Sequence, residues 1–358
     1  MKIAIIGSGF IAHVHAEMIK ALGHELTTII SRKEANAAAF AKKWTIPFYG
    51  TSIDLAIEKS DCIHLCTPPI AHYEQAKAIL SAGKHLICEK PLTIDPQKAK
   101  ALHDLAIEKG VVAAVNFNVR YHEACQRAKT LINQKEFGDI RIIHGSYLQE
   151  FHANSDYYSW RYQPTEGGKM RATTEIGSHW IDLVRHWTGL EITAVAANFA
   201  NFAPHRYLTS DGLMHPEKQA NSQLIEVTSE DAAAILLQFS NGAIGNLILS
   251  EVSHGKKNEL QLEVTGSQQS VWWNNETPYQ LFHGEKNKGV QMTTNPFGGG
   301  FNETFKELFK AVYQAIESPK DNLNFPTFKD GAMNAAVCEA IYTSATNDSK
   351  WVAVLKVI

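Results

Sequence analysis

The stretch that most constrains the fold is the opening one, Met1-Lys2-Ile3-Ala4-Ile5-Ile6-Gly7-Ser8-Gly9-Phe10-Ile11-Ala12. Lys2 to Ile6 is a short, continuous apolar run ended by glycine, the pattern of a strand buried on both faces. A helical pattern follows from about Phe10 to Leu22. Gly-x-Gly-x-x-Ala between a strand and a helix has a physical use. Gly7 permits the tight turn, Gly9 lets a pyrophosphate approach the backbone, and the small Ala12 lets the helix pack close to the strand. Amides at the helix start then face the phosphates, with Phe10 and Ile11 in the same cofactor loop.

The second strand, Glu25 to Ser31, ends about 20 residues beyond the glycines, where a carboxylate commonly grips the ribose hydroxyls. Ser31-Arg32 stands there instead. No acid repels a 2′-phosphate, and Arg32 can pair with one, so NADP is favoured over NAD. The alternative is that Arg32 stacks on adenine or points to water.

Strand and helix patterns continue to alternate. Pro47 to Tyr49, Asp61 to Cys66, His85 to Cys88 and Val111 to Phe117 read as strands, Ala71 to Ala82 and Pro96 to Lys109 as helices. This rhythm implies α/β architecture with a doubly wound parallel sheet, in which ligands sit at the carboxyl ends of the strands. Four points fall on that rim: the glycine loop, Thr67-Pro68-Pro69 with His72, Glu89-Lys90-Pro91, and residues 116 to 120. Lys90 is aimed by a four-residue strand, and Pro91 stops that strand from continuing.

After about Arg120 the rhythm changes. A helix from Glu123 to Asn133 and a strand from Ile140 to Phe151 precede a long polar and aromatic loop with Tyr158, Trp160 and Arg161. Further strands with turn signals such as Asn241-Gly242 follow, and two amphipathic helices, Phe301 to Glu317 and Thr327 to Thr346, close the chain. The expected division is a dinucleotide-binding domain over 1–120 and an α+β domain over 121–358, the latter built on one large, mostly antiparallel sheet with an open face. A chain of 358 residues suits two domains.

Composition excludes other classes. A net charge of −3 without a basic stripe argues against nucleic acid. The start lacks the pattern of a signal peptide, and no run approaches the roughly 18 apolar residues of a membrane helix. Cys62, Cys66, Cys88, Cys125 and Cys338 are odd in number and form no Cys-x-x-Cys, which suits thiols in a reducing compartment. A cytoplasmic protein with small-molecule partners is expected.

Residues 175–189 read as a helix capped by Gly189. Glu175, His179, Asp182 and His186 share one face of it. That face can be a solvated stripe, a metal site, or a catalytic base, His179, oriented by Glu175. The zinc signature His-Glu-x-x-His is absent, and no metal is expected. Alcohol oxidation needs a base for the hydroxyl proton, a role that suits histidine.

Taken in order, Gly7-Ser8-Gly9-Phe10-Ile11-Ala12, Thr67-Pro68-Pro69 with His72, Gly83-Lys84-His85 through Glu89-Lys90-Pro91, and Glu175-x-x-x-His179 closely resemble the Gfo/Idh/MocA family of glucose-fructose oxidoreductases and inositol dehydrogenases. The resemblance spans essentially the whole chain. It implies an N-terminal Rossmann domain, a C-terminal domain with an open sheet, homodimers or homotetramers built through that sheet, and NAD(P)-dependent oxidation or reduction of sugars, polyols and inositols. Lys90 resembles the lysine that touches both nicotinamide and the reacting oxygen, and His179 the acid/base histidine. Glu175 stands where many members have aspartate. A cis Lys90-Pro91 bond is also implied. Arg120, Tyr158, Trp160 and Arg161 are candidates for substrate contact, and Thr67, Pro68, His72 and Glu89 for the cofactor. The rival readings are a catalytically silent nucleotide-binding regulator and a metal-dependent hydrolase or lyase.

Overall fold

The structure, a computed structural model, describes residues 1–153, 159–215, 217–295, 299–318 and 323–358. Its first eleven elements alternate: β1 (Lys2–Ile6), α1 (Phe10–Ala21), β2 (Glu25–Ile30), α2 (Glu34–Trp44), β3 (Phe48–Gly50), α3 (Ile53–Lys59), β4 (Cys62–Leu65), α4 (Pro69–Ser81), β5 (His85–Cys88), α5 (Pro96–Glu108) and β6 (Ala113–Val115). The strands pair in parallel in the order β3-β2-β1-β4-β5-β6. All four residues of β4 are buried, and so are the last four of β1. Strands covered by helices on both faces show no polar side, which is why continuous apolar runs mark them. The helices α2 and α3 are not among the elements expected from the sequence. Ser52 caps α3, accepting from the Asp54 amide at 3.2 Å.

The chain continues through α6 (Glu123–Ile132), β7 (Ile140–Leu148), α7 (Pro164–Gly167), α8 (Ser178–Thr188), β8 (Ile192–Ala200), β9 (His205–Leu208), β10 (Met214–His215) and β11 (Gln223–Glu226). Next come β12 (Ala232–Phe239), β13 (Ile244–Ser250), β14 (Glu259–Gly266), β15 (Gln269–Asn274), β16 (Gln280–Glu285) and β17 (Gly289–Thr294). The last elements are α9 (Phe301–Glu317), α10 (Phe328–Ala345) and β18 (Val352–Ala353).

Two compact units result: Met1–Tyr121 with Gly299–Ala335 and Val357–Ile358, and His122–Gly298 with Ala336–Lys356. The first stretch ends beside the boundary expected at residue 120, and the first unit also takes in α9. Its Phe305, Leu308, Phe309 and Val312, spaced i, i+3, i+4 and i+7, form an apolar stripe. That stripe is buried in one core with Ile3, Ile5, Ala12, Ala16 and Ile19. A stripe so wide needs an apolar surface to cover it, and α1 supplies one.

In the second unit, nine strands pair in the order β17-β16-β15-β14-β7-β13-β12-β8-β18, antiparallel except where β7 meets β13. Along β12, Ala233, Ile235, Leu237 and Phe239 are buried while Leu236 is 54% exposed. This period of two sets one face of the sheet inward, where α8 lies against β7 and β14 with Trp180 and Trp187 fully buried. The other face shows Ile142, Ile244 and Ile248. The small sheet β10-β9-β11 was not anticipated; its strands are two to four residues long, too short to signal by alternation. Among the described residues, no helix is long and apolar enough to cross a membrane.

Candidate active site

In a parallel sheet every strand delivers its carboxyl end to the same edge. Gly7 leaves β1 there, Cys66 and Thr67 leave β4, Glu89 and Lys90 leave β5, and Asn116 leaves β6. Gly7 has φ +108°, and a Cβ on it would lie 2.4 Å from the Cys66 carbonyl oxygen, so the turn admits no other residue. A Cβ on Gly9 would meet nothing within 4 Å. The chain's own packing does not require glycine there, whereas a ligand lying against the loop would. Ala12 is fully buried, Ile11 half-buried and Phe10 77% exposed at the helix start. Ser8 and Ser31 join their hydroxyls at 2.8 Å, tying the glycine loop to the end of β2, and Arg32 beside them is exposed. These residues fit a dinucleotide.

The Lys90–Pro91 bond is cis, as the resemblance implied. Lys90 is half-buried, and its backbone N–H lies 3.2 Å from Glu89 Oε2. Pro68 stands at the N-cap of α4, and the Thr67 hydroxyl donates to Gln75 at 2.6 Å. Three rim candidates have partners within the fold. His72 is fully buried, with Nδ1 2.9 Å from the Pro91 carbonyl oxygen and Nε2 2.8 Å from that of Thr67. It ties the loop after β4 to the one after β5. Burial pushes its pKa down, opposed by those carbonyls. Glu89, 8% exposed, turns its carboxylate inward to His15 and Asn116. Arg120, 7% exposed, sets NH2 3.2 Å from Asp330, an ion pair that braces the fold.

In the second unit, a π-helical turn over Thr173–Gly177 leads directly into α8. Such turns shift the register of the side chains that follow. Glu175 sits in that turn, and Arg161 Nε lies 3.0 Å from its Oε2 while the guanidinium stacks 4.4 Å from the Trp160 ring. The expected substrate contact Arg161 is thus engaged with the expected catalytic carboxylate. Tyr158 lies outside the described residues. His179 is half-buried, with its ring 6.4 Å from that of Tyr147, whose hydroxyl donates to Asn258 at 2.7 Å. Asp182 is 1% exposed, so the stripe is not a solvated face.

A buried charged cluster accompanies this turn and was invisible as a sequence pattern. Arg171 Nε donates to Glu251 at 2.7 Å and its NH2 to Asp231, while Glu230 accepts from the backbone of Arg171 and Thr173 at 3.0 and 2.7 Å. Burial pushes Glu251 up to about 7 against the pull of Arg171, and the Glu175 charge pushes the same way as burial. Burial, then the charges of Arg171 and Arg161, lower His152 to about 3. Among the described residues, no group of three or more His, Cys, Asp or Glu is placed to hold a metal ion.

A parallel sheet in this strand order, with a glycine loop at its carboxyl edge, defines a dinucleotide-binding Rossmann unit. Residues 1–117 match the model of an oxidoreductase family with an NAD-binding Rossmann fold, and residues 125–272 match the Gfo/Idh/MocA C-terminal domain. The chain belongs to the Gfo/Idh/MocA oxidoreductase family. Levoglucosan dehydrogenase of Pseudarthrobacter phenanthrenivorans is 28% identical over 98% of this chain and 97% of its own. Glucose-6-phosphate 3-dehydrogenase of Bacillus subtilis is 26% identical over 97% of both. The solved structure of a levoglucosan dehydrogenase in complex with NADH and L-sorbose matches at 26% identity and a TM-score of 0.89, covering 99% of each chain.

Proposed function

We propose that this enzyme transfers a hydride between a nicotinamide cofactor and a secondary alcohol or ketone of a sugar, polyol or inositol. The observation that carries the reading is that the glycine loop and Lys90 leave the same edge of one sheet, from β1 and β5, with only β4 between them. The cofactor, when bound, accepts or supplies the hydride. Gly7, Gly9, Phe10, Ile11 and Ala12 hold its pyrophosphate at the start of α1, Ser31 and Arg32 its ribose, and Thr67 and Pro68 line the rim. Lys90 presents an ammonium to the reacting oxygen and stabilises the alkoxide as it forms. His179 takes the hydroxyl proton, held in orientation by Glu175, itself braced by Arg161. Trp160 offers an aromatic face to the sugar ring.

Support for a sugar comes from the relatives, which act on levoglucosan and glucose 6-phosphate by name. The test is a panel of sugars, anhydrosugars, polyols and inositols mixed with oxidised cofactor and followed at the reduced-nicotinamide absorbance band. Turnover with at least one is expected; silence across the panel, and with the matching ketones in reverse, would overturn the reading.

For the cofactor we favour NADP, because the exposed Arg32 stands where a carboxylate would exclude the 2′-phosphate. Arg32→Ala is expected to weaken NADP(H) binding about tenfold, the worth of one charge-assisted contact, and to leave NAD(H) binding unchanged. Titration of both cofactors checks this; an unaltered ratio removes Arg32 from the selection.

The exposed Ile142, Ile244 and Ile248 on the open sheet face support a homodimer or homotetramer joined there. Light scattering is expected to give a multiple of 39.7 kDa, and a strictly monomeric mass at micromolar concentration rules this out. All five cysteines are free and buried, which suits a cytoplasmic setting, to be checked by cell fractionation.

A further inference from the structure

A chain of buried side chains in the first unit ends at the peptide of Lys90. The Glu89 carboxylate accepts on Oε1 from His15 Nε2 at 2.9 Å and from the Asn116 side-chain amide, and on Oε2 from the Lys90 backbone N–H at 3.2 Å. His15 Nδ1 lies 2.9 Å from His64 Nδ1, and His64 Nε2 lies 2.8 Å from the Tyr313 hydroxyl. His15 comes from α1, His64 from β4 and Tyr313 from α9. His15 and His64 are fully buried, with Phe309 packed edge-on against both rings.

The donors can be assigned. An ionised carboxylate only accepts, so His15 Nε2 carries a proton in either charge state of the ring. With His15 neutral, its Nδ1 accepts from His64 Nδ1–H, and His64 Nε2 accepts from the Tyr313 hydroxyl. With His15 protonated, His64 takes the other tautomer and donates to Tyr313. His64 therefore complements His15 Nδ1 in both states and leaves the Nε2–H on Glu89.

We propose that His15 and Asn116, backed by His64 and Tyr313, are positioning residues for the reaction: they hold the Glu89 carboxylate against the Lys90 peptide and so fix the root of the lysine that meets the substrate oxygen. This rests on the proposed role of Lys90. Burial alone would push the Glu89 pKa up, but the hydrogen bond and charge of His15, then Asn116 and Lys90, outweigh it and hold the carboxyl below the usual range. The titratable or charged groups that face Glu89 and its partners, among the described residues, include His15 of α1, His24 before β2, Cys62 and His64 of β4, Cys66 beyond it, His72 of α4, Cys88 and Lys90 of its own segment, and Tyr313 of α9. A protonated Glu89 binds the Lys90 N–H more weakly, because the bond loses its charge assistance.

The test compares His15→Leu, His15→Gln and Asn116→Ala with the wild-type enzyme, each checked for cofactor binding and melting temperature. His15→Leu leaves burial less opposed, so Glu89 takes up its proton at higher pH. Turnover is expected to fall about ten- to a hundredfold, the scale of a slightly misplaced catalytic group, at nearly unchanged cofactor KM. The acidic limb of the kcat profile should move to higher pH. His15→Gln restores a donor and should recover much of both effects. Asn116→Ala removes the other donor and should shift the limb in the same direction, and it carries the test should His15→Leu not fold. Wild-type turnover and an unmoved limb in the folded variants overturn the proposal. Lys90→Met separates this from the reading it rests on. An inactive Lys90→Met beside unaffected His15 variants defeats only the positioning chain, whereas an active Lys90→Met defeats the role of Lys90 itself.

Discussion

Lys90→Met is expected to lose turnover by about a thousandfold or more while cofactor binding stays within a few-fold of wild type. Methionine keeps the length and most of the volume of the lysine stem, so the rim between β4 and β6 should retain its packing. What disappears is one positive charge at the oxygen on which negative charge develops, and that interaction is worth most in the transition state. The loss should therefore fall on kcat, with substrate KM changed much less. Steady-state rates with the best substrate, together with cofactor titration by fluorescence, measure both quantities. A kcat within tenfold of wild type would falsify the role given to Lys90.

His179→Ala is expected to cost about a hundredfold to ten-thousandfold in turnover, the usual worth of a placed general base. The helix should survive, because α8 is anchored by the fully buried Trp180, Ile181, Leu183, Val184 and Trp187 and closed by Gly189 in the left-handed region. A second signature follows from the chemistry: small bases added to the buffer should restore part of the rate in the variant and none in the wild type. If the variant keeps wild-type turnover, the base is another group; if rate is lost without any rescue by added base, His179 serves geometry and not proton transfer.

The cofactor half of this protein was legible because its signals are local. A strand, a tight glycine turn and a helix start lie within twelve residues, and each step is dictated by neighbours in the chain: Gly7 by its turn, Ala12 by its packing on β1. Lys90 was legible for the same reason, since a short buried strand and a proline define where it emerges. The helix bearing His179 announced itself by its Gly189 cap. What its periodicity hid was the π-helical turn over Thr173–Gly177, because the side-chain pattern of that stretch is also compatible with ordinary helix.

The sequence is silent where a polar residue's partner lies far along the chain. His72, Glu89 and Arg120 stand at or near the rim, where position alone points to ligands. Yet His72 is held by Pro91, 19 residues away, and Arg120 by Asp330 on α10. Arg161, a candidate for substrate contact, also sets its guanidinium against Glu175. A sequence shows that a side chain can donate or accept, and it does not show which group will be brought within 3 Å.

The sequence by itself therefore determined the class: a doubly wound dinucleotide-binding unit, a second unit on a large, mostly antiparallel sheet, and the lysine and histidine around which a hydride-transfer reaction can be argued. Those features rest on short-range sterics and hydrophobic periodicity, which act between residues a few positions apart. Only the tertiary structure decided that α9 closes over α1, that Arg171 gathers Glu251 and Asp231, and that Glu89 looks inward. The chain behind Lys90 joins His15 to residues 49 and 74 positions away, and His64 to Tyr313 across 249. Periodicity fixes which face of a helix is buried, whereas the partner on that face is chosen by packing of the whole domain. Buried polar groups must then find their hydrogen bonds among whatever that packing brings together.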